Sequence, residues 1–185
     1  MFDQHLLIAA LSRYVRTLPT LYESEFVLDD LADTVTEVLG VTGAGVSLVS
    51  DERLWFVTSS TGNMVEVELW QEHYQDGPAR TAYETDAPVC ITDIGDCGDR
   101  WPLYAAAAHD AGVVAVGAIP MRLGDDIIGV LDLYADDPRA WPAPDIAAAQ
   151  LLADIATGYL VNASTPAQHT EIDIYNAART VPAVD

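Results

Sequence analysis

Residues 113–135 read VVAVGAIPMRLGDDIIGVLDLYA, and they hold the two strongest strand-forming runs of the chain. Val113 to Leu123 and Ile127 to Ala135 are apolar and rich in β-branched residues, and Gly124, Asp125 and Asp126 between them supply the turn chemistry of a hairpin. Runs joined this tightly pair antiparallel, because a parallel return needs a crossover of a dozen or more residues. The hairpin is therefore expected at the centre of a sheet. Within Val130-Leu131-Asp132-Leu133-Tyr134, strand alternation places Asp132 with Val130 and Tyr134, opposite Leu131 and Leu133. A carboxylate on a central strand needs partners or a polar cavity. Asp132 is accordingly expected to face a ligand pocket, with Leu131 and Leu133 facing the terminal helices. An Asp bonded to a loop, or exposed on an open sheet face, competes with that placement.

Upstream, Pro88 to Thr92 reads as a short edge strand, and Ala44 to Val49 with Leu54 to Thr58 as a second hairpin turning at Ser50, Asp51, Glu52 and Arg53. Between the hairpins, Val67, Trp70 and Tyr74 recur at helical spacing in Val65 to Tyr74, and this outweighs a strand-like alternation in Met64 to Leu69. Asp76, Gly77 and Pro78 signal a second helix start, and Trp101 to Ala111, stopped by Gly112, is an Ala-rich helix. At the front of the chain, Leu7, Leu11, Val15 and Leu18 with Tyr14 make one helical stripe closed by Pro19. Val27, Leu28, Leu31, Val35, Val38 and Leu39 make another before Gly40. At the back, after Pro142 and Pro144, Ala148, Leu152, Ile155 and Tyr159 predict a long amphipathic helix reaching about Asn162. Strands and helices do not alternate as βαβ units, which predicts an α+β fold on an antiparallel sheet.

The chain has 185 residues, 50% of them hydrophobic and 20% charged, enough to bury one substantial core. Its eight cations are all Arg, set against 29 acidic residues for a net charge of −21. The arginines are scattered singly among carboxylates, so neither nucleic acid nor a membrane surface is an expected partner. Met1 to Leu11 lacks a basic leader pattern, and no segment carries the roughly 18 uninterrupted apolar residues of a bilayer span. The expected location is the cytoplasm.

The four histidines, His5, His73, His109 and His169, share no ligand spacing, so neither metal nor cofactor is expected. Asp93, Asp96 and Asp99 recur every third residue, a pattern that suits a solvated loop better than an EF-hand. Nucleophile-elbow, Walker and dinucleotide glycine motifs are missing, and a chain without Lys can form no lysine Schiff base. Cys90 and Cys97 raise one enzymatic hypothesis, thiolate attack followed by resolution. Against it stands a buried, inert Cys90 in a strand with an incidental Cys97 in a loop. Trp70, Tyr74, Tyr83, Trp101 and Tyr104 cluster in the segment between the hairpins, where aromatic rings with polar tips can line a small-molecule cavity or simply fill core.

From Leu28 to Tyr159 the chain resembles a GAF domain, in particular the GAF module of actinobacterial GAF-ANTAR regulators. The resemblance rests on Leu39-Gly40-Val41-Thr42-Gly43-Ala44-Gly45-Val46-Ser47-Leu48, Asp76-Gly77-Pro78, Pro88-Val89, Arg100-Trp101-Pro102 and Ile128-Gly129-Val130-Leu131-Asp132-Leu133-Tyr134, in that order. It implies a PAS-like central antiparallel sheet of five or six strands, terminal helices packed on one face, and a small-molecule cavity on the other. It also implies homodimerisation, here through Leu7, Leu11, Leu18, Leu152, Ile155 and Tyr159. Ala79 stands where relatives often carry Cys after the Gly-Pro step. The cysteine spacing differs from that of GAF-type free methionine sulfoxide reductases, and the marks of cyclic-nucleotide GAF domains are missing. The basic three-helix ANTAR unit that the resemblance implies after the last helix is expected to be missing, truncated or degenerate, since Ala163 to Asp185 carry Arg179 as their sole base.

The expected organisation is an N-terminal helix over 1–23, a GAF domain over 24–162 and a loose tail or linker over 163–185. The expected function is non-enzymatic: an unidentified small molecule held by Trp70, Tyr74, Tyr83, Trp101, Tyr104 and Asp132 biases helix packing in a homodimer and so informs a downstream regulatory protein. A two-cysteine reductase and an interaction module without ligand are the alternatives.

Overall fold

The computed structural model describes residues 1–17, 24–97 and 99–163. In chain order the elements are α1 (Gln4–Thr17), α2 (Ser24–Leu39), β1 (Gly43–Ser50), β2 (Arg53–Ser59), α3 (Val65–Tyr74), α4 (Pro78–Thr85), β3 (Val89–Ile91), α5 (Pro102–Asp110), β4 (Ala115–Leu123), β5 (Asp126–Ala135) and α6 (Ala143–Ala163). The five strands form one antiparallel sheet in the order β2-β1-β5-β4-β3, with β5 in the middle. The fold is α+β, as the strand and helix order predicts.

Local chemistry sets the boundaries. Gly40 ends α2 at φ 57 and Gly124 turns the β4–β5 hairpin at φ 62, left-handed conformations that cost glycine little. The β1–β2 hairpin turns on two residues, Asp51 and Glu52, both at positive φ, as a two-residue connection with matching twist requires. Strand β4 starts at Ala115 rather than Val113 because the Val113 amide donates to Ala108 O at 2.8 Å, at the end of α5. Trp101 is the residue before α5 rather than its first turn, and Pro102 opens the helix. Pro120 fits inside β4 because β3 pairs only as far as Ala118. The Pro120 carbonyl faces away from β5 and accepts from Gln150 Nε2 at 2.9 Å, so its missing N–H breaks no ladder bond.

One face of the sheet carries α1, α2 and α6. Ala44 and Val46 of β1, Ile119 and Met121 of β4, and Leu131 and Leu133 of β5 meet Leu28, Leu31 and Val35 of α2 and Ala149, Leu152 and Ala156 of α6. Leu131 and Leu133 thus face the terminal helices. Helix α1 joins the same core through Ala10 and Tyr14. The dimer surface expected from the helical stripes needs correction at Leu152, which is 0% exposed within its own chain. Leu7, Leu11, Ile155 and Tyr159 are half-buried against that core, and Leu18 and residues 164–185 lie outside the described residues.

The opposite face carries α3, α4 and α5. Helix α3 is fastened to the free edge of β2 by side chains acting as a surrogate strand. The Leu54 amide donates to Gln75 Oε1 at 2.9 Å, Gln75 Nε2 donates to Leu54 O at 2.8 Å, and the Phe56 amide donates to Glu72 Oε2 at 2.8 Å. At the other edge, Trp141 Nε1 donates to Ile91 O at 3.0 Å and covers the end of β3.

Candidate functional site

Asp132 sits at the middle of β5, paired with Gly45 on one side and Ala118 on the other. These two small neighbours leave room above the sheet, and α3 fills it with polar side chains. Glu68 and Gln71, three residues apart on one helical face, point inward and are buried. A Cβ on Gly45 would lie 1.8 Å from Glu68 Oε1, and one on Gly77 would lie 2.8 Å from Gln71 Oε1, so both glycines are the space these side chains occupy.

The resulting network lies wholly between sheet and helices. Tyr134 Oη donates to Glu68 Oε1 at 2.8 Å and Ser47 Oγ donates to Glu68 Oε2 at 3.4 Å. Gln71 Nε2 is 3.4 Å from both Asp132 Oδ2 and Tyr134 Oη, while Gln71 Oε1 accepts from the Ala79 amide at 3.0 Å. Asp132 Oδ1, at its centre, is buried and has no hydrogen-bond partner among the described residues, while the buried Tyr104 hydroxyl lies against that of Tyr134.

Burial dominates the electrostatics. Desolvation pushes the Glu68 carboxyl up to about 7, against the opposing hydrogen bonds from Tyr134 and Ser47, and the Glu72 charge pushes the same way as burial. Asp132 is raised well above the usual carboxylate range by burial first and by the neighbouring Glu68 second, with the Gln71 bond opposing. Burial likewise lifts the phenols of Tyr104 and Tyr134, and the two carboxylates add to it. The groups acting on both carboxyls are phenol, hydroxyl, amide and other carboxylates, with no cation among them.

Of the residues expected from the sequence, Asp132 and Tyr104 meet in this network. Trp101 is buried in the apolar cluster that contains Tyr104 and Tyr134, and Trp70 packs against that cluster with its ring 5.8 Å from that of Tyr104. Tyr74 stacks outside Trp70, ring centroids 4.7 Å apart, and is 55% exposed. Tyr83 lies away from them, on a surface depression shared with Glu84, Asp86, Asp125 and Asp126. Glu68, Gln71, Ser47 and Tyr134 were missed. Tyr134 could have been found from its place two residues after Asp132 on the same strand face; Glu68 and Gln71 are polar residues on a weakly patterned helix and carry no such mark.

Cys90 is exposed on the edge strand rather than buried as expected, because β3 is only three residues long and its outer side has no further strand. Partial burial still pushes its thiol up, away from the thiolate form a nucleophile needs. Among the described residues no group of three His, Cys, Asp or Glu side chains could hold a metal ion, and no helix is long and apolar enough to cross a membrane.

This sheet, with a polar cluster roofed by a helical layer on one face and closed by the terminal helices on the other, defines a small α+β domain built on a five-stranded antiparallel sheet. The chain belongs to the GAF family: a family model described as GAF domain matches residues 24–160. It is similar in structure to the GAF domain of an Acinetobacter phosphoenolpyruvate-protein phosphotransferase (TM-score 0.68, 14% identity, 87% of this chain and 96% of that one). It is also similar to a free methionine-R-sulfoxide reductase from Neisseria meningitidis solved with its substrate (TM-score 0.67, 17% identity, 90% and 97%). A third similar structure is the cyanobacteriochrome TePixJ GAF domain (TM-score 0.60, 19% identity, 80% and 94%). At these identities the likeness is one of fold. No curated protein matches the sequence.

Proposed function

We propose that this GAF domain is a non-enzymatic sensory or regulatory module of the cytoplasm. It binds a small molecule between the sheet and the α3–α5 layer and signals through the terminal helices of a homodimer to a downstream regulatory protein. The observation that carries this is Asp132 Oδ1, buried in the layer where a ligand would lie and without a hydrogen-bond partner among the described residues. Buried polar groups are ordinarily satisfied, so an acceptor left without a protein partner supports a partner supplied from outside. Strand β5 provides the coupling. It presents Asp132 to the site and Leu131 and Leu133 to α2 and α6, so a ligand that favours one setting of the strand also favours one helix packing.

The test is a thermal-shift screen of metabolites and cyclic nucleotides on the purified chain. A ligand that prefers the native state raises Tm, and Asp132→Asn should remove the rise. Uniform failure to stabilise would leave an interaction module. The reductase alternative draws on fold likeness to the Neisseria enzyme; turnover of methionine sulfoxide that is lost in Cys90→Ser or Cys97→Ser would establish it against the proposal.

A further inference from the structure

The small molecule proposed above has a charge that the site itself dictates. Glu68 and Asp132 are both 0% exposed and, among the described residues, are bonded to Tyr134, Ser47 and Gln71, none of which carries a positive charge. The described arginines lie elsewhere. Arg13 pairs with Asp30, Arg80 with Glu84, Arg122 with Asp86 and Arg139 with Asp145, while Arg53 and Arg100 lie over the rings of Trp55 and Trp101. Two carboxylates so placed cannot both be ionised without a counter-charge. Resting on the ligand-binding reading, we propose that the ligand is a small organic cation whose ammonium or amidinium group sits between Glu68 and Asp132 and donates to Asp132 Oδ1, with Tyr104 Oη beside it.

An anion would meet two carboxyls and two phenols here, and a neutral donor would satisfy the vacant oxygen without balancing the charge. A cation does both. Two carboxylates are also too few for the oxygen cage of a hard inorganic ion, which takes six or more ligands. Tyr74, Trp70 and Tyr104 form a graded path from an exposed ring through a half-buried one to a fully buried one, and aromatic faces attract organic cations on the way in. On binding, one of the two protons that the carboxyl pair holds below about pH 7 leaves to solvent and the ligand's single charge replaces it, while the second proton stays on the pair. The titratable groups facing the pair are Tyr134 on β5, Tyr104 on α5 and Glu72 on α3.

The experiment uses the full chain at constant ionic strength with acetamidinium and ethylammonium as cations, acetamide and acetate as neutral and anionic probes of matching size, and calcium chloride as the inorganic cation. Expected are a saturable rise in Tm with the organic cations alone and, by calorimetry in buffers of different ionisation enthalpy, proton release on binding. Affinity should fall roughly tenfold or more in Asp132→Asn. Tyr104→Phe, which removes only the hydroxyl that lies against Tyr134, should still fold and bind several-fold more weakly. Stabilisation by acetate, acetamide, calcium or an anionic metabolite, but by neither organic cation, would overturn the cation assignment and leave the sensor reading standing. Stabilisation by nothing in this set or in the metabolite screen would overturn both.

Discussion

Glu68 holds its carboxyl directly over Gly45, and the absent side chain at Gly45 is what admits it, since a Cβ there would stand 2.6 Å from Glu68 Cδ. That placement makes stability depend on pH in an unusual direction. The folded chain keeps the Glu68 proton up to about 7, whereas the unfolded chain releases it near the ordinary glutamate value of 4.5. Between these values the native state binds more protons, so stability falls as pH rises. The buried Asp132, raised for the same reason, adds to the slope with the same sign. The ligand-free chain should therefore melt at a higher temperature at pH 5 than at pH 8, and Glu68→Gln should flatten the curve within that window. A slope identical in the variant and the parent would show that Glu68 is ionised throughout.

At the scale of elements, Arg139 does the work of a splint between two helices. Its Nη2 donates to Leu39 O at 2.7 Å and to Asp145 Oδ2 at 3.1 Å, and its Nη1 donates to Gly40 O at 3.3 Å. One guanidinium thus caps the carbonyl end of α2, where positive charge suits the dipole, and neutralises an Asp that is 0% exposed at the start of α6. Arg139→Ala should cost about 1–3 kcal/mol in urea unfolding, since it removes charge-assisted bonds to two helix-end carbonyls and leaves the buried Asp145 to the Met1 ammonium at 3.2 Å and the Phe2 amide at 2.8 Å. Arg139→Lys should recover only part of that, because an ammonium cannot fork between the carbonyls and Asp145. Arg16→Ala, which removes only an exposed bond to Ser12 O, should stay within about 0.5 kcal/mol of the parent. Elements of this kind were the legible part of the sequence. The hairpins, Gly40, Gly124 and the stripes of α2 and α6 announce themselves through turn chemistry and apolar period. Helix α3 showed its Trp70 and Tyr74 but not its working face, because Glu68 and Gln71 are buried against a sheet whose small residues, Gly45 and Ala118, are more than 20 residues away along the chain. Asp132 was legible because a lone carboxylate interrupts an apolar strand; its partners exist only once the tertiary fold brings them over it.

For the whole molecule the governing quantity is the net charge of −21, spread over a chain whose eight cations are all arginines. Folding gathers these acids onto a compact surface and so raises their mutual repulsion relative to the extended chain. Added salt relieves that repulsion, since the screening length falls from about 10 Å at 0.1 M to about 3 Å at 1 M. Moving sodium chloride across this range should raise Tm, even though the exposed Arg80–Glu84 and Arg122–Asp86 pairs weaken, because pairs of that kind each contribute little. The same screening acts between two copies. The proposed homodimer would bring together terminal helices that leave Ile8, Val15 and Leu151 exposed, and its apolar contact must overcome the repulsion between two chains of like charge. Sedimentation should then show the dimer fraction growing with sodium chloride, and Ile8→Glu with Val15→Glu should abolish that growth while leaving the monomer's Tm unchanged. A Tm insensitive to sodium chloride but raised by sodium sulfate would place the control in solvent exclusion rather than in charge.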